Sequence, residues 1–266
     1  MEAIGRTLPR SSKSAFALEP GSTPVARALC LHGFTGTPFE VRPLADALLE
    51  HGVASTGVLL PGHGTRPEDM AECTWHQWEQ AALDAWDALP ADRPRLLVGS
   101  SMGGLLALRV AMKRGDAAAL VLLAPALSFF GDGELAARAS LRGLWRLKPY
   151  VDKEEAGGDV ADATARAANP TYAVIPTKPL GQVKLLQRAV RAELSRVSAP
   201  LCLFHGAQDH TIPPAASAEI AAGVASAVVE HHRLRDSFHV IGIDVDHERI
   251  AAHTVRFLAR VLGWAS

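Results

Sequence analysis

Arg95-Leu96-Leu97-Val98-Gly99-Ser100-Ser101-Met102-Gly103-Gly104 is the stretch on which the fold turns. Four residues of a β-type run pass without a linker into G-x-S-x-G, and a helical pattern follows to about Arg114. Five-residue patterns of this kind arise by chance. A buried strand before the pattern and a helix after it are what a strained nucleophile turn requires. A Cβ at position 99 or 103 is expected to collide with the neighbouring helix and strand, so both positions need glycine. Such a turn lifts the Ser101 hydroxyl above the sheet edge, near a helix N-terminus. The plain alternative is a glycine-rich strand end with a serine N-cap.

Outward from this stretch, short apolar runs alternate with amphipathic helical segments. Strands are expected at 26–31, 53–60, 95–99, 119–124 and 201–205, with a sixth inside 226–233. Helices are expected over 40–51, 75–89 and about 245–262. This rhythm predicts an α/β fold with a mostly parallel central sheet flanked by helices. Trp75, Trp78, Ala82, Trp86 and Leu89 share one helix face and read as core rather than as a ligand cage. Between Pro125 and Pro200 the rhythm breaks. Residues 126–198 read as a helical cap inserted between two late strands, with 1–125 and 199–266 forming the core. A structural subdomain with no role in access is the alternative.

The chain has 266 residues, 48% of them hydrophobic and 21% charged, with a net charge of −1. Such a chain folds without a disulfide or metal staple, and its charge argues against a nucleic-acid partner. No apolar run reaches the ~18 residues a membrane span needs, and the N-terminal 25 residues lack the apolar centre of a signal peptide. Neither stable membrane insertion nor a secretory route is expected; the expected location is cytoplasmic. Cys30, Cys73 and Cys202 are far apart and read as unpaired thiols in a reducing compartment. The lead before the first clear strand has room for a short antiparallel hairpin, made irregular by Pro20-Gly21-Ser22 and Pro24.

A serine nucleophile needs a base and an orienting acid. Where the nucleophile sits on such a turn, the acid follows it in the chain and the histidine comes last, each after a late strand. Asp209 lies four residues beyond the 201–205 run, and His239 lies between the last strand and the last helix. Competing residues have plainer readings. His205 fits a buried strand end, His231 and His232 alternate along a strand, and His247 and His253 lie on the last helix. Asp236 is too close to His239, while Asp244 and Asp246 fit the start of the last helix. His205 and His210 lack the spacing of a metal pair, so no metal site is expected. His32-Gly33-Phe34-Thr35-Gly36 ends the first clear strand. Its glycines free backbone amides to face a developing oxyanion, with Phe34 N–H and Met102 N–H as the expected donors. A purely structural turn is the alternative.

Together these residues resemble the α/β-hydrolase superfamily. HGF at 32–34, PGHG at 61–64, GSSMGG at 99–104, HGAQD at 205–209 and SFHVI at 237–241 stand in the same order. More closely they resemble bacterial carboxylesterases and monoacylglycerol lipases with a small cap, from about Ala26 to Trp264. The resemblance implies Ser101, Asp209 and His239 as the triad, Phe34 and Met102 amides as the oxyanion hole, and ester hydrolysis through an acyl-enzyme without cofactor or metal. The implied substrate is a small neutral ester, of short to medium chain or a monoacylglycerol. Phe129, Phe130, Leu144 and Trp145 either line an acyl pocket or pack the cap onto the body. Thioester, amide and C–C hydrolysis use the same triad, and a ligand-binding sensor with little turnover is the reading from another class. The oligomeric state is not legible.

Overall fold

The structure is a computed structural model that describes residues 12–153 and 157–264. The body is a seven-stranded sheet. Its strands are β1 (Phe16–Leu18), β2 (Ala26–Leu31), β3 (Val53–Val58), β4 (Arg95–Ser100), β5 (Ala119–Leu123), and, beyond the insertion, β8 (Leu201–Gly206) and β9 (Val229–Leu234). They lie in the order β1-β3-β2-β4-β5-β8-β9. All pair in parallel except β1, which runs antiparallel to β3 with Phe16 opposite Gly57. The expected hairpin therefore does not form between β1 and β2: the lead makes a three-residue edge strand on β3.

Alternation along the central strands divides the core in two. Leu29 and Leu31 of β2, Leu97 of β4, Leu120 and Leu122 of β5, and Leu201 and Leu203 of β8 pack on one face. Against them lie α3 (Trp75–Ala88) and α4 (Met102–Arg114), with Trp78 and Trp86 fully buried. Cys30, Leu96, Val98, Val121, Cys202 and Phe204 face the other way, onto α1 (Arg42–Glu50) and α9 (His247–Leu262). All three cysteines are buried and unpaired. Two short helices complete the body, α2 (Pro67–Ala71) and α8 (Ala215–Gly223), and a 3-10 turn at Pro38–Val41 leads into α1.

α4 is buried almost along its whole length, so its polar residues need internal partners. Arg109 donates to Glu79 (2.6 Å) and Glu193 (2.7 Å), and Lys113 donates to Glu79 (3.1 Å). Among the described residues no helix is long and apolar enough to cross a membrane.

Between β5 and β8 the chain leaves the sheet. It forms α5 (Gly131–Leu141), β6 (Tyr150–Asp152), α6 (Ala163–Ala168), β7 (Val174–Pro176) and α7 (Thr177–Glu193). The expected helices are present, and β6 and β7 add an antiparallel pair that periodicity did not reveal, each strand being only three residues long. α7 is rooted in the body: Val183, Leu186 and Val190 join the main core, and Gln187 Nε2 donates to Ala126 O at 2.8 Å.

Candidate active site

Ser101 sits between β4 and α4 at φ 52°, ψ −114°, a conformation costly for a residue with a Cβ. Close packing enforces it. A Cβ on Gly99 would lie 2.4 Å from Gly103 O, and one on Gly103 would lie 2.1 Å from Leu31 O. Ser101 N donates to Leu123 O (2.8 Å), and Ser101 O accepts from Ala126 N (3.1 Å). The turn is thus tied to the end of β5 as well as to β2.

Ser101 Oγ lies 2.9 Å from His239 Nε2, and His239 Nδ1 lies 2.8 Å from Asp209 Oδ2. The structure brings the three side chains together from the ends of β4, β8 and β9, as chain order predicted. Asp209 is held from several sides. Its Oδ1 accepts the amides of Thr211 (2.8 Å) and Ile212 (2.7 Å), and its Oδ2 lies 3.2 Å from His205 Nε2. Burial works to raise its pKa. His239, His205 and the amide donors outweigh it and hold Asp209 well below the usual carboxylate range. Burial lowers the pKa of His239, but the Asp209 charge and hydrogen bond carry it above the ordinary histidine value.

His205 is therefore more than a buried strand end. Ser217 Oγ donates to its Nδ1 (2.6 Å), leaving Nε2–H directed to Ile212 O (3.0 Å) and Asp209. The plain reading of Asp244 is also corrected. Its carboxylate does not cap α9 but accepts the amides of Ala161, Asp162, Phe238 and Val245. Asp246 precedes α9 and accepts from Ser237 Oγ at 2.8 Å. Asp159, overlooked in the sequence, accepts the amides of His239 and Val240 on its carbonyl, while its carboxylate takes His210 N and Thr211 Oγ1. Asp236 is exposed and outside this network. Cys202, Glu230 and His232 offer ligand atoms within 4.8 Å of one another, a grouping that sequence spacing did not suggest. Arg260 already pairs with Glu230, and Arg249 and Arg256 bear on His232, so the surroundings oppose a cation.

The His32–Gly36 turn lies across from Ser101. His32 is buried and neutral, its pKa pushed well down by burial, with Nδ1–H donating to Gly33 O and Nε2 accepting Leu60 N–H (3.1 Å). Gly33 N–H is taken by the Glu40 carboxylate (3.0 Å) and Gly36 N–H by Gly33 O (3.2 Å). The amides of Phe34 and Met102 donate to no loop carbonyl or side chain among the described residues. The Phe34 ring meets Trp78 edge-on at 6.0 Å. Of the cap residues singled out, Phe129 is half-buried against the main core and Phe130 is exposed. Leu144 is exposed too, and Trp145 is flanked by Arg146 (4.5 Å) and Lys178 (5.3 Å).

The chain is similar to known proteins in sequence and fold. The Hydrolase_4 family, described as serine aminopeptidase, S33, matches residues 22–246. A thermostable monoacylglycerol lipase from Bacillus sp. (strain H-257) is 33% identical over 236 residues, covering 88% of this chain and 91% of that one. Among solved structures, one described under two metagenome-derived lipolytic enzymes, LipS and LipT, superposes with a TM-score of 0.81 at 24% identity, covering 96% of this chain and 100% of that chain. A soluble variant of monoglyceride lipase from Saccharomyces cerevisiae gives 0.80 at 14% identity, over 98% of each chain. With its fold, its motif order and a family match spanning most of its length, the chain belongs to the Hydrolase_4 family of α/β-hydrolases.

Proposed function

We propose that this enzyme cleaves neutral carboxylic esters, of short to medium acyl chains or monoacylglycerols, through an acyl-enzyme on Ser101. His239 takes the Ser101 proton as Oγ attacks the carbonyl carbon, and returns it to the leaving alcohol. Asp209 holds the Nδ1–H tautomer and stabilises the imidazolium. Phe34 and Met102 amides receive the oxyanion, each donor worth roughly 2.7–4 kcal/mol in the transition state. Water repeats the cycle and frees the acid. These side chains supply nucleophile, base and acid, and the scheme invokes no metal or cofactor.

The observation that carries this reading is the continuous relay of 2.9 and 2.8 Å from a serine held at positive φ. Similarity to the Bacillus lipase over most of both chains supports the ester class. Phe34, half-buried and packed edge-on against Trp78, supplies an apolar flank suited to an acyl chain. Residues 126–198 are read as a lid, with 1–125 and 199–266 the core. In support, its 157–172 stretch bonds to both the histidine loop and the His32–Gly36 turn. Three buried free thiols fit a reducing, cytoplasmic setting.

A second reading, amide or peptide cleavage, is favoured by the family's description as an aminopeptidase. One panel separates the readings. It holds p-nitrophenyl esters from acetate to palmitate, 1-monoacylglycerols and aminoacyl p-nitroanilides, each assayed with wild type and Ser101→Ala. Esters cleaved in preference to anilides, with activity lost in the variant, is the expected outcome. Preference for anilides sinks the ester reading, and an active Ser101→Ala sinks the nucleophile. A folded wild type inert on the whole panel favours a ligand-binding sensor.

A further inference from the structure

The carboxylate behind the His32–Gly36 turn has no place in the scheme above. Glu40 is buried, in the 3-10 turn before α1. Its Oε2 accepts Gly33 N–H at 3.0 Å, and a Cβ on Gly36 would lie 2.1 Å from its Oε1. A Cβ on Gly33 would lie 3.0 Å from Oε2 and 3.2 Å from Ser101 Cβ, so the carboxylate and the serine flank one backbone residue. The Glu40 main chain also touches the histidine loop, where a Cβ on Gly242 would meet Glu40 O at 2.2 Å.

This placement has two consequences. Glu40 and the Gly33 carbonyl take the amides at both ends of the turn, while Phe34 N–H donates to no group among the described residues. When ionised, the same carboxylate puts a buried negative charge beside the place where an oxyanion develops, which opposes the reaction unless it is offset. The offset comes from the insertion. Lys153 Nζ donates to Thr171 Oγ1 (2.6 Å), and Thr171 Oγ1 donates to Thr35 O (2.9 Å), on the far side of the same turn. Thr35 itself is held at φ 63°. Burial lowers the pKa of the Lys153 amine to about 8, with Glu40 favouring its charge, so it is a cation at neutral pH. Burial in turn raises the pKa of Glu40, while the Gly33 amide, Lys153, His239 and Asn169 favour its ionised form, Lys153 and Asn169 from the insertion.

We propose that Glu40 and Lys153 are paired positioning residues: Glu40 sets the turn that presents Phe34 N–H, and Lys153, carried in by the insertion, neutralises the charge this requires. Oxyanion stabilisation is then complete only when the insertion is seated. The inference rests on the acyl-transfer reading of Ser101.

The test is a double-mutant cycle with Glu40→Gln, which keeps an oxygen for Gly33 N–H, and Lys153→Met, which keeps the stem. Glu40→Ala is added, and circular dichroism reports folding. Each variant is assayed for kcat and KM on the best p-nitrophenyl ester, and for the rate at which an alkyl p-nitrophenyl phosphonate labels Ser101. Glu40→Ala is expected to lower kcat roughly 30- to 100-fold, as small misplacements of catalytic groups do, with KM within about threefold. Glu40→Gln recovers at least about tenfold of that loss. Lys153→Met lowers kcat about tenfold when Glu40 is intact but less than about twofold in the Glu40→Gln background, and labelling rates follow the same order. An equal cost of Lys153→Met in both backgrounds overturns the pairing, as does a Glu40→Ala effect confined to KM. If Glu40→Ala does not fold, the cycle of the two shape-conserving variants carries the result. A wild type that labels but cleaves no ester sinks the ester reading and leaves the cycle measurable by labelling. One that does neither overturns both.

Discussion

Two turns face each other across the candidate oxyanion site, and they are held by different physics. The Gly99–Gly103 turn is fixed by backbone pressed against backbone: the atoms nearest a Cβ at either glycine are main-chain atoms. The His32–Gly36 turn is fixed by polar side chains: a neutral histidine behind it, a buried glutamate beneath it, and threonine and lysine from a distant part of the chain. Close packing makes the first turn rigid and intolerant of added atoms. A turn held by side chains can give a few tenths of an ångström, and it answers to charge and to the seating of the insertion.

The largest expected effect tests the rigid side. Ser101→Ala removes the proposed nucleophile, and kcat on esters should fall at least about 10⁴-fold with the melting temperature nearly unchanged. A loss below about tenfold would place the chemistry elsewhere. Paired glycine substitutions sharpen the contrast. The Cβ of Gly103→Ala has only the carbonyl groups of Leu31 and His32 to push against, so a loss of about 3 kcal/mol or more is expected by chemical denaturation. Gly33→Ala meets a carboxylate oxygen at 3.0 Å and a serine Cβ at 3.2 Å, tight contacts that a shift of a few tenths of an ångström relieves. It should cost about tenfold in kcat and less than about 1.5 kcal/mol in stability. Equal stability losses at the two sites would erase the distinction.

Acid titration gives a more moderate effect. In the proposed mechanism His239 must be neutral to accept the Ser101 proton, and Asp209 raises its pKa in spite of burial. kcat/KM should therefore fall tenfold per unit as pH drops through a midpoint above the ordinary histidine value of about 6.5. In Asp209→Asn the charge that raises the histidine is gone, and the midpoint should move to lower pH. An unmoved midpoint would assign the limb to another group. The smallest effect is expected far from both turns. Leu147 is 84% exposed, so Leu147→Ser should change stability by less than about 0.5 kcal/mol and kcat/KM on soluble esters by less than about twofold.

The same contrast explains what was legible in the sequence. Ser101 with its glycines, Asp209 and His239 could be placed from chain order, because each follows a strand whose apolar rhythm is local. The sheet and its flanking helices were legible for that reason too. Asp244, His205 and Glu40 were not. Asp244 sits where a helix cap belongs, yet half its partners lie in the insertion at Ala161 and Asp162. His205 is oriented by Ser217 and Ile212 against an acid whose position only the folded loop defines. Glu40, between Phe39 and Val41, carried one local signal, a carboxylate in an otherwise apolar turn. Its partners Lys153 and Asn169 come from the least periodic part of the chain. Three-residue strands such as β6 and β7 leave no period to read.

The placing of β8 beside β5 also sets an order of events during synthesis. Leu120 pairs with Leu201, so this pairing must close a loop containing the whole insertion before the sheet can be completed. The Ser101 turn depends on β2, β4 and β5, all made before the insertion, while Asp209 and His239 are made after it. At typical synthesis rates roughly 5–20 s separate residue 101 from residue 209. Through that interval the nascent chain carries the proposed nucleophile without the proposed acid and base. Under the proposed mechanism, a chain broken off before residue 239 holds its serine with no relay to activate it.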